Sequence, residues 1–192
     1  MEIRLLLGIL FFALFFSCKE EERMTLPDPT DSSTRYDIPE ADFISQIDIA
    51  EDATAQWSVF NELKSTLASI PKADLRRIRT QSEKLTHYSD SLRKTIPTSL
   101  KTMPIKTRLD VVHARIELLN MTANNLLVDS LELKENYKET LLAFNTLLHQ
   151  INEKYEKDAI QKQGEKIFSH ELQQRTKDSI FKIEQARKQR QQ

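Results

Sequence analysis

Leu109-Asp-Val-Val-His-Ala-Arg-Ile-Glu-Leu-Leu-Asn-Met-Thr-Ala-Asn-Asn-Leu-Leu-Val-Asp-Ser-Leu-Glu132 holds a helix, its end and the start of the next helix. Leu109, Val112, Ile116, Leu119, Ala123 and Leu126 recur at steps of three and four, which lines them along one side of an α-helix. Near Val128 the pattern stops. Asp129-Ser-Leu-Glu132 then has the spacing of a capping box, with Asp in place of Ser or Thr, so a new helix starts there. A connection this short makes the two helices antiparallel neighbours. The second of them is expected to turn Leu131, Tyr137, Leu141, Phe144, Leu148, Ile151 and Tyr155 inward. A hairpin of this kind leaves apolar surface that only further helices can cover.

Those helices lie upstream. Ala53, Trp57, Phe60, Leu63, Leu67 and Ile70 form one stripe, and Pro71 ends it because proline cannot continue the backbone hydrogen bonds. Leu75, Ile78, Ser82, Leu85, Ser89, Leu92 and Ile96 form the next, a thin stripe with two serines in core positions, stopped by Pro97. Pro104 opens the helix that carries the quoted stretch. Beyond Lys157 the apolar positions thin out to Ile160, Ile167, Phe168, Leu172, Ile180 and Ile183, and Gly164 is expected to kink or break the chain. The reading is an all-α, elongated antiparallel helical bundle with coiled-coil-like packing. Its helices are expected at about 41–70, 72–96, 104–128, 130–157 and 158–188. The apolar positions after Lys157 close either on the bundle or on another copy of the chain, a homo-oligomer.

Composition agrees with helix and narrows the function. The chain has 2 Gly, 30 % charged residues and a net charge of −1, which argues against nucleic acid as a partner. Charge is uneven: residues 19–40 carry three basic and seven acidic groups, while residues 173–192 carry six basic and two acidic. Residues 24–40 hold Pro27, Pro29 and Pro39 among Asp, Ser and Thr, the composition of a disordered tether that buries little.

At the amino end, Leu5 to Phe16 is an apolar run too short to span a bilayer, which takes about 20 residues, and of the length of a signal-peptide core. Phe15-Phe16-Ser17-Cys18 follows it and resembles the lipobox of bacterial lipoproteins. The resemblance covers about the first 22 residues. It implies a diacylglycerol on the Cys18 thiol, removal of residues 1–17, and a mature chain of 175 of the 192 residues. Lys19, Glu20 and Glu21, with Glu22 behind them, resemble the export signal of Bacteroidota surface lipoproteins. These likenesses imply an outer-membrane location and a membrane contact through the lipid. Cys18 is the only cysteine, so no disulfide supports the fold.

No constellation for catalysis is legible. Glu83/His87, His113/Glu117 and His149/Glu153 each share a helix face at a spacing of four, and His113 and His149 would sit at similar heights in the hairpin. They are the candidates for a metal or haem site, although bundles that bind metal use Glu and His three apart. Solvated Glu–His pairs are the plainer reading. His170-Glu171-Leu172-Gln173-Gln174 begins like a zinc-protease helix but lacks the second histidine. Asp90-Ser91-Leu92, Asp129-Ser130-Leu131 and Asp178-Ser179-Ile180 resemble a short O-glycosylation pattern that helix capping also explains. Arg76-Arg77-Ile-Arg79 reads as a solvated basic face. The expectation is a non-enzymatic envelope lipoprotein with no cofactor, acting as adaptor or accessory subunit for a protein partner in the envelope. The alternatives are a bundle that binds a metal, haem or small ligand, and a chaperone-like bundle.

Overall fold

Asp129 caps the helix around which the rest is built. Its carboxylate accepts the Leu131 and Glu132 N–H groups at 2.8 and 3.3 Å, satisfying donors that a helix start leaves free. In the computed structural model, which describes residues 36–190, the chain is all-α. α1 (Asp48–Ala55), α2 (Ser58–Ser69), α3 (Leu75–Lys94), α4 (Met103–Ala123) and α5 (Ser130–Gln189) follow in order, with single 3-10 turns at Ile70–Lys72 and Thr98–Leu100. Cys18, Lys19, Glu20 and Glu21, and the tether as far as residue 35, lie outside the described residues.

α2, α3, α4 and α5 run alternately up and down, each packed on the next in sequence. Cross-links fix their register. Ser82 meets Asn120 at 2.9 Å and Arg93 meets Asp110 at 2.7 Å between α3 and α4. Arg115 meets Glu139 at 3.1 Å between α4 and α5. Phe60 and Leu63 of α2, Ile78 and Leu85 of α3, Ile116 of α4, and Tyr137 and Phe144 of α5 fill the space between them. Phe60 stacks between Trp57 (5.5 Å) and Phe144 (5.3 Å), a contact that joins α2 to α5. The Tyr137 hydroxyl donates to the Leu67 carbonyl at 3.2 Å. It joins the Ile70 N–H on that oxygen, where the donor one turn later would be residue 71, a proline without an N–H.

Several expectations are corrected. The helix expected over 41–70 is two helices broken at Gln56–Trp57, and residues 36–47 form no helix. The Trp57 indole N–H is bonded to Thr95 at 3.1 Å, and the Asn61 amide donates to the carbonyls of Thr54, Ala55 and Trp57. Those contacts hold the break in place without glycine or proline. Tyr36 and Ile38, assigned to the tether, are buried. α4 stops at Ala123, so Leu126 is 86 % exposed. Leu131 is 75 % exposed and Leu133 takes the core place expected of it, because the inward line of α5 includes the polar Thr140. The helices expected over 130–157 and 158–188 are one helix of 60 residues running through Gly164. A methyl group placed on Gly164 would touch nothing within 4 Å, so no packing turns the chain there.

Candidate functional site

Residues 36–47 are an extended strap laid along α5, parallel to it. Asn145 and Asn152, two turns apart on α5, read its backbone as a neighbouring strand would. The Asn145 side chain accepts the Ile44 N–H at 3.1 Å and donates to the Asp42 carbonyl at 2.8 Å. The Asn152 side chain accepts the Ile47 N–H at 3.1 Å and donates to the Ser45 carbonyl at 2.9 Å. At the other end Lys134 meets Asp37 at 2.7 Å, and that hydrogen bond lowers the Asp37 pKa. Phe43 lies edge-on to Phe144 at 5.6 Å, with the Lys64 ammonium over its ring. Backbone groups that a helix would satisfy internally are here met by side chains about a hundred residues away.

A polar cleft lies between α3 and α4. Asp90, Arg93, Lys94, Ile96, Lys106, Leu109 and Asp110 line a cleft of about 370 Å³. Arg93 is held by Asp110 at 2.7 Å and Asp90 at 3.8 Å, while Lys94 and Lys106 leave the cleft basic. Next to it Ser89, His113 and Asp90 come together. His113 Nδ1 is 2.9 Å from the Ser89 hydroxyl, and His113 Nε2 is 3.9 Å from Asp90. The polarity is opposite to that of a serine nucleophile and its base. Ser89 is buried and donates its one proton to the Thr86 carbonyl at 2.9 Å, so the hydrogen-bond network assigns His113 Nδ1–H as donor to the serine. Along with Ser82–Asn120, the pair serves as a polar rung that sets the register of two helices. The two core-position serines of the thin stripe are thereby accounted for, with both buried and partnered across the interface.

His113 is committed to α3 and does not meet His149, which is exposed on α5. The Thr140 hydroxyl, which donates to the Asn136 carbonyl at 2.7 Å, also lies 3.2 Å from the Arg115 carbonyl oxygen, which puts His113 level with the 142–143 region of α5. His149 is therefore roughly one and a half to two turns further on. Among the described residues, no three His, Cys, Asp or Glu side chains are grouped to hold a metal ion. Glu153 pairs with Lys157 at 2.7 Å, and this hydrogen bond, ahead of the others it makes, holds its carboxyl below the usual range.

A further exposed surface is the helix itself. From Ala159 to Ile183 every residue of α5 is exposed, including Ile160, Ile167, Phe168, Leu172, Ile180, Phe181 and Ile183. This part of α5 extends about 45 Å beyond its last buried turn at Tyr155. No described helix is long and apolar enough to cross a membrane. The chain matches no known protein family, no curated protein and no solved structure.

Proposed function

We propose that the chain is a lipid-anchored lipoprotein of the bacterial outer membrane, whose helical domain acts without catalysis as an adaptor. It carries an exposed helix to a protein partner in the envelope. The observation that supports this most is a polarity of the molecule. The described start of the strap lies beside the amino end of α5, where Asp37 meets Lys134, and the uncovered part of α5 projects from the opposite end. A 60-residue helix is about 90 Å long, so the first described residues of the strap and the far end of α5 stand far apart. Acylation at Cys18 would fix one end to the lipid, since several acyl chains together hold stably where one is marginal. The exposed apolar residues are then presented where other envelope proteins can meet them.

The test is cross-linking in intact cells, followed by purification and mass spectrometry of wild type and Cys18→Ala. The expected result is metabolic labelling of Cys18 by fatty acid and a reproducible cross-linked species that is lost with the anchor. An unlabelled Cys18 sinks the lipoprotein reading. A labelled chain with no cross-linked species sinks the adaptor reading.

A further inference from the structure

The geometry points to a second copy of this chain as the partner of the projecting helix, paired antiparallel about a two-fold axis between Arg175 and Thr176. This rests on the reading of that helix as the contact element and does not depend on the anchor. α5 is continuous through Gly164, so its exposed half does not fold back on its own bundle, and covering its apolar residues takes another molecule. A lone helix of about 30 residues is held only by its own marginal propensity.

The sequence of the projection is complementary to itself in one orientation. Successive residues turn by about 100°, so Phe168, Leu172, Ser179 and Ile183 fall within a line about 60° wide along the helix. Reversed about the axis, Phe168 faces the other copy's Ile183, and Leu172 faces its Ser179. Away from the axis the flanking charges meet with opposite sign, Lys182 beside the other copy's Glu171 and Arg187 beside its Glu165; at the axis the two copies of Arg175 lie side by side, each with the other copy's Asp178 next to it. A parallel, in-register pair would instead set Arg190, which continues the line, against its own copy. Such opposed like charges are what select orientation in paired helices.

The test uses the full chain in detergent with Cys18→Ala, which removes the only thiol. Single cysteines are then placed by Thr176→Cys or by Gln161→Cys and joined with a short bis-maleimide. Thr176 flanks the axis, whereas the two copies of position 161 are about 43 Å apart along an antiparallel pair. The expected result is covalent dimer from Thr176→Cys and none from Gln161→Cys. Dimer from both means parallel pairing, and dimer from neither means another partner; each overturns the proposal. In sedimentation, Glu171→Lys is expected to weaken the dimer about tenfold, and adding Lys182→Glu to restore it. Failure of that rescue overturns the register. All four positions lie outside the core, and far-UV circular dichroism confirms that the bundle is intact.

Discussion

Replacing Tyr137 by Phe makes two effects of one hydroxyl separable by pH. The phenol is fully buried and supplies the second donor to the Leu67 carbonyl, the first being the Ile70 N–H. Removing it leaves that oxygen with one partner, at a cost of about 1 kcal/mol at neutral pH. Burial also raises the Tyr137 pKa well above its ordinary value, with a smaller push from Glu40. The folded chain therefore keeps this proton after the unfolded chain has released it near pH 10. That contribution to stability is complete below about pH 10 and is lost as pH rises past it, by about 1.4 kcal/mol at pH 11. The phenylalanine variant lacks the loss. It should be about 1 kcal/mol less stable than wild type at pH 7 and about 0.4 kcal/mol more stable at pH 11. Tyr36 is also raised by burial, against Arg79, but it is present in both proteins and cancels. Urea unfolding followed by circular dichroism at pH 7, 9, 10 and 11 reads the difference directly. A difference that stays constant from pH 8 to 11 would refute the burial argument. No difference at pH 7 would show that Ile70 alone satisfies Leu67.

Phe60→Ala removes the ring between Trp57 and Phe144 and should cost about 3–5 kcal/mol in urea unfolding; less than about 1 would mean the cluster is not the centre of the core. Asn145→Ala with Asn152→Ala strips the strap of its side-chain partners. Amide exchange at Ile44 and Ile47 should quicken at least about tenfold while the core stays protected, and unchanged exchange would count against the clamp. Gly164→Ala should stabilise the projecting helix by about 0.5–1 kcal/mol, seen as higher helicity on heating, because nothing obstructs the added methyl. A loss of helicity would reveal a close approach at that position.

The periodic part of this fold was open to reading from the sequence. Trp57, Phe60, Leu63 and Leu67 announce their buried face, and the Asp129 cap announces the α4–α5 turn. What escaped was decided by distant partners. Residues 41–47 look helical because no proline or glycine interrupts them, yet Asn145 and Asn152 satisfy their backbone from another part of the chain. An asparagine on a helix surface gives no local sign of that role. Thr140, buried, bonded to the Asn136 carbonyl and 3.2 Å from that of Arg115, broke the apolar pattern of α5 and moved the expected line from Leu133 to Leu131. Of the two histidines singled out, the pairing of His113 with Ser89 was hinted at only by a serine in a core position, and the cleft beside them had no signal at all.

The strap is the earliest of the described segments to be synthesised, and its partners follow about a hundred residues later. Asp37 and Lys134 are 97 residues apart, and Ile47 and Asn152 are 105 apart. At ribosomal rates of about 5–20 residues per second, residues 36–47 wait roughly 5–20 s before the side chains that receive them exist. Contacts of such long range also close late, because the chain entropy between their ends must be given up first. Pulse-labelled exchange during refolding should therefore find the α4–α5 hairpin protected early and the Ile44 and Ile47 amides protected at the end.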